Sequence, residues 1–113
     1  MKATAKISRP AKPPREPFHQ ALDDYFARFP TIENIRAKCH GNLMKLWSTG
    51  IDITGKPEAW LAGLIYTVMN DGKFPRGVEG MRFADFAEIW GVSTNVIRAR
   101  SWAIKRVLGW TYL

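Results

Sequence analysis

Residues 59–69, AWLAGLIYTVM, limit most what this chain can fold into. Trp60, Leu61, Leu64, Ile65, Val68 and Met69 leave no wide polar stripe on a helix, and a helix that is apolar on most faces must be wrapped by others. Pro57 suits a first helical turn, and Glu58 suits the positive end of its dipole. Ala59, Ala62 and Gly63 are small enough to let a neighbouring helix approach closely. The stretch is about half the roughly 18 apolar residues that a membrane span needs, so it reads as the central helix of a soluble bundle.

The flanking segments supply the wrapping. Phe18, Ala21, Leu22, Tyr25, Phe26 and Phe29 recur at helical spacing between Pro17 and Pro30. Thr31 is a suitable N-cap for a second helix carrying Ile32, Ile35, Cys39, Leu43, Leu46 and Trp47, which Gly41 is expected to bend or break near 40–42. Residues 48–56 and 70–80 are rich in glycine and read as connections. Gly72, Gly77 and Lys73 match no phosphate-binding loop. With 113 residues, 46% of them hydrophobic, the expected architecture is one all-α domain over 18–113. Before it, residues 1–17 carry Pro10, Pro13, Pro14 and Pro17 among five cations and read as an extended, disordered basic arm.

Residues 82–108 read as a helix-turn-helix. Phe86 and Trp90 lead to Gly91, a stop signal, and Ser93 can cap a new helix at Thr94. On a wheel of about 100° per residue Ile97, Ser101, Ile104 and Leu108 share the inward face, with Val107 beside them. Arg98, Trp102, Lys105 and Arg106 are expected on the opposite side, and Thr94 and Asn95 in the first turn. In such units the second helix enters a DNA major groove by its N-terminal half. Thr94, Asn95 and Arg98 are therefore the candidates for base edges, and Arg100, Lys105 and Arg106 for phosphates. Contact with about six phosphates would cost roughly a thousandfold in affinity between 50 and 200 mM salt. Gly109 is expected to end the helix, with Trp110, Tyr112 and Leu113 folding back as a plug.

The net charge of +7 agrees with that placement. Residues 1–17 hold five Lys or Arg against one acid, 18–80 hold seven against seven, and 81–113 hold five against two. Lys12 and Arg15 of the arm join the candidate contacts, since such arms can follow phosphates or a minor groove. Adjacent Cys39 and His40 point about 100° apart on a helix and have no partner ligands nearby in sequence, so neither metal nor cofactor is expected. His19 and His40 lie on different helices without a recognisable acid-base constellation, which speaks against an enzyme. The single cysteine allows no internal disulfide, and no apolar leader is visible; a cytoplasmic protein is the expectation, nucleoid-associated if it binds DNA.

Three stretches, CHGNLMKLW, GKPEAWLAGLIYTV and MRFADFAEIWGVSTNVIRARSWAIKRVLG, together resemble small prokaryotic domains of uncharacterised function with a cyclin-like, initiation-factor-B-like fold. The resemblance covers about two thirds of the chain and implies about five helices, the last pair binding DNA without catalysis. Arg82 stands where that family opens the pair with Thr or Ser; it caps poorly but can reach a phosphate. Val96, Trp102 and Ala103 replace small polar and mixed-charge residues. Trp102 is a candidate DNA contact that can stack on sugar and phosphate; with Val96 and Ala103 it also opens a second reading, in which an adaptor or inhibitor docks a protein partner through it. A homodimer is compatible with either reading, and RNA suits the arm though nothing selects it.

Overall fold

The structure, a computed structural model, describes residues 14–30, 34–70, 78 and 81–110. Within them the chain forms five helices: α1 (Glu16–Arg28), α2 (Ile35–Ser48), α3 (Pro57–Met69), α4 (Phe83–Trp90) and α5 (Thr94–Leu108). Val78 and Met81 add an isolated antiparallel bridge in the connection before α4. No described helix is long and apolar enough to cross a membrane.

The order of burial follows from α3. Every residue from Ala59 to Val68 is buried, and α3 touches each of the other four helices. Its most extensive partner is α5. Gly63 makes that approach possible, because a Cβ there would lie 2.7 Å from Arg100 Cβ and 3.2 Å from the Ser101 backbone nitrogen. Thr67, one turn further along α3, donates to the Gly63 carbonyl at 2.6 Å and meets the Ser101 hydroxyl at 2.5 Å. A buried hydroxyl pair is thus satisfied inside an otherwise apolar seam with Ile65, Ile97 and Ile104.

α1 buries Phe18, Leu22, Tyr25 and Phe26, the stripe expected of it. Tyr25 reaches α4, edge-on to Phe86 at 5.9 Å and stacked on Trp90 at 5.4 Å. α2 differs from expectation in two ways. It begins at Ile35, after Asn34 at φ 82°, a left-handed conformation that a helix cannot continue through. Thr31 and Ile32, the expected cap and first apolar residue, lie outside the described residues. The helix also runs unbroken through Gly41, because Cys39, Leu43 and Leu46 anchor it in the core on either side.

Two turns close the fold as their residues dictate. Gly91 takes φ 69° and Gly109 φ 76°, each just past a helix end. The next amides fold back: Val92 donates to the Ala87 carbonyl at 3.1 Å and Trp110 to the Lys105 carbonyl at 2.9 Å, the six-to-one bond of a Schellman cap. Trp110 packs against the core as a plug would, whereas Tyr112 and Leu113 lie outside the described residues. Residues 1–13 of the arm, Lys12 included, lie outside them too.

Candidate nucleic-acid interface

α4, the turn 91–93 and α5 make the helix-turn-helix unit. Ser93 Oγ accepts from the Val96 amide at 3.1 Å, so the start of α5 is fixed by a side-chain cap. Nothing comparable caps α4. Arg82 precedes it and makes a two-bond pair with Asp85, at 3.0 and 3.2 Å, that holds the Asp85 carboxyl below its ordinary range through the hydrogen bonds from the guanidinium. A phosphate would have to share that exposed arginine with a carboxylate.

The outward face of α5 consists of Asn95, Arg98, Ala99, Trp102 and Arg106, all exposed, with Thr94 half-buried at its start. Trp102 is 54% exposed and is the largest apolar surface on the unit. Arg98 is exposed yet held, its guanidinium 5.0 Å from the Phe83 ring centroid. Phe83 in turn stacks on Tyr66 at 4.5 Å, so the arginine rests on a platform of two helices. The Tyr66 hydroxyl is raised in pKa by its burial, with the nearby Arg98 pulling the other way.

Three expectations for α5 need correction. Lys105 is only 4% exposed and does not project from the outward face; burial pushes its pKa down. It follows Ser101 by four residues and so lies about 40° from that buried position on the wheel. Arg100 does not face outward either. It is half-buried and folds back along α3, its guanidinium 5.0 Å from the Trp60 ring centroid. Val107, expected beside the inward face, is exposed. Arg15 lies at the base of α1, half-buried, with its Nε covered and without an acceptor.

One polar cluster escaped the sequence reading. His19 on α1 and His40 on α2 meet Nδ1 to Nδ1 at 2.6 Å. Their ring planes differ by only 6° while the centroids are 4.9 Å apart, which places the rings edge to edge in one plane, as a shared N–H···N bond requires. His40 Nε2 donates to Asp23 Oδ1 at 2.8 Å, and Arg36 Nε donates to the same oxygen at 2.7 Å. With its Nε2 protonated, neutral His40 must accept at Nδ1, so His19 donates. The signal available in sequence is that His19 and Asp23 are four apart on one helix, and Arg36 and His40 four apart on the next. Among the described residues no three or more His, Cys, Asp or Glu side chains are arranged so as to hold a metal ion.

Comparison with protein-family models, with curated proteins and with solved structures finds no match to this chain.

Proposed function

We propose that this protein is a non-enzymatic DNA-binding protein, a small transcriptional regulator that lays α5 in the major groove. The observation that carries the reading is the division of α5 into two faces behind a three-residue turn. Ile97, Ser101 and Ile104 are buried against α3, while Asn95, Arg98 and Arg106 stand exposed on the other side. A helix so anchored can offer its first two turns to base edges without itself unfolding or shifting.

The contact roles follow from exposure. Arg98, steadied on Phe83, presents a planar fork suited to guanine O6 and N7, and Asn95 suits adenine N6 and N7. Of the three phosphate candidates on α5 only Arg106 stands exposed, because Lys105 is buried and Arg100 half-buried. A gel shift against pooled random duplexes tests the proposal. Arg98→Ala should relax preference at one base pair, and Arg106→Ala should weaken all sequences alike; equal effects on every sequence would refute the division.

The exposure of Trp102 supports a second reading, a protein partner docked on the same face. Under it Trp102→Ala abolishes a partner complex and leaves DNA retention unchanged.

A further inference from the structure

We propose that the His19–His40 contact is an acid-opened latch: it holds the first two turns of α1 on α2 while it carries at most one added proton, and releases them when it takes a second. Nothing in this depends on duplex binding.

The geometry of the pair sets how many protons it can hold. Nδ1 meets Nδ1 at 2.6 Å, with the ring planes 6° apart and the centroids 4.9 Å apart. The two nitrogens therefore point at each other along one line, and the gap holds a single hydrogen. With both rings neutral that hydrogen belongs to His19, and His40 donates from Nε2 to Asp23 at 2.8 Å. One added proton fits without movement. It binds His19 Nε2, the bridging proton can stand on either Nδ1, and the Asp23 carboxylate balances the new charge. A second has no such place, because both Nδ1 atoms would then carry hydrogen and face each other across a gap that holds one.

The neighbouring charges do not rescue the doubly charged pair. Arg15 and Arg36 face the cluster with Glu16 and Asp23, two of each sign, and Arg36 already donates to the Asp23 oxygen that receives His40. α3, also packed on α1, brings one acid, Glu58, which is exposed in its own first turn. Two imidazolium rings would thus stand in contact with no surplus carboxylate between them.

The start of α1 is the part that can yield. Beyond the histidines, Phe18 holds it to α2, edge-on to Trp47 at 4.8 Å. Its later half is anchored separately, by Tyr25 against Phe86 and Trp90 of α4. Closure also leaves Arg15 Nε covered and without an acceptor, a cost that lifting the first turns returns to water. The chain has no other histidine, so no other imidazole answers to the same pH.

The test is amide hydrogen exchange of the full chain by NMR between pH 7 and 5, corrected for the intrinsic pH dependence of exchange. The opened pair binds two protons in the ordinary imidazole range and the closed pair one, so the opening constant at the Gln20, Ala21 and Leu22 amides should rise about tenfold between pH 6 and 5. The Ile65 and Ile104 amides should open at least about tenfold less often at every pH, as expected when α1 lifts without global unfolding. His19→Gln, at a half-buried position, can donate to His40 or accept from it without titrating, and should abolish the rise. An α1 opening constant that stays flat while both rings take up protons would overturn the proposal, since the rings would then part by side-chain rotation alone. One opening constant shared by α1, α3 and α5 would overturn it too, because the pair would then part only when the whole domain unfolds.

Discussion

Gly63→Ala tests the packing on which the placement of α5 depends. The added Cβ would lie 2.7 Å from Arg100 Cβ, 3.2 Å from Ser101 N and 3.3 Å from Arg100 C. Two of these neighbours are backbone, and the third is bonded directly to it, so no flexible side-chain end can swing aside. Restoring van der Waals spacing of about 3.5 to 4.0 Å requires α5 to move off α3 by most of an ångström. That motion stretches the Thr67–Ser101 bond and loosens Ile97 and Ile104, and overpacking of this kind costs about 1 to 3 kcal/mol. The helical preference of alanine over glycine returns up to about 1 kcal/mol, which leaves a net loss of up to about 2 kcal/mol. Gly41→Ala is the matched control, because α2 is continuous there and nothing lies within 4 Å of an added Cβ. It should stabilise by about 0.5 to 1 kcal/mol, since only the helical preference acts. Urea unfolding of both variants should therefore move the midpoints in opposite directions. Equal stabilisation by the two substitutions would refute the close α3–α5 approach.

Three further outcomes are expected. Ser93→Ala removes the cap of α5 and should cost about 1 kcal/mol in urea unfolding; no change would mean that the cap is not formed in solution. Cys39 is fully buried and its thiol is pushed up to about 12 by that burial, so a thiol reagent at pH 8 should label it only at the rate of unfolding. Labelling as fast as that of a free thiol would contradict its place in the core. Stability should also fall on acidification. Burial, then His40 and Arg15, lower the His19 pKa in the folded state from 6.5, so the unfolded chain binds the proton first and stability drops as pH passes below 6.5 until the lowered value is passed. The Asp23 carboxyl, lowered by its bonds from Arg36 and His40, adds a loss of the same sign at more acidic pH. His19→Gln can still donate to His40 and does not titrate, so its thermal midpoint should fall less between pH 7 and 5; an identical slope would exclude the pair as the cause.

What the sequence made legible was local. The ends of α4 and α5 were readable because Gly91, Ser93 and Gly109 each perform a backbone task within a few residues of themselves. The burial of α3 was readable because few positions along 59–69 offer water a polar surface. The margins of α5 were not. Lys105 and Arg100 stand about 70° to either side of the centre of its buried arc, and Val107 about 90°. At such angles the neighbouring helix decides, and it covers Lys105, gathers Arg100 against Trp60 and leaves Val107 in water. His19 and His40, 21 residues apart, meet only because α1 and α2 pack together. The delayed start of α2 hangs on one residue, Asn34, whose left-handed backbone nothing in a helical pattern announces.

Those margins also change the electrostatics of the central claim. With Lys105 buried, Arg100 folded against Trp60 and Arg98 assigned to a base edge, the candidate phosphate contacts are Arg82, Arg106, Lys12 and Arg15. About four neutralised phosphates give a slope near −3.6 in log affinity against log salt, a loss of roughly a hundredfold between 50 and 200 mM. Equilibrium binding to a duplex pool across that range is the most direct measurement. A slope of that size, reduced by about one in Arg106→Ala, is the predicted result. Duplex binding undetectable even at 50 mM salt would contradict the assignment of α5 to the major groove.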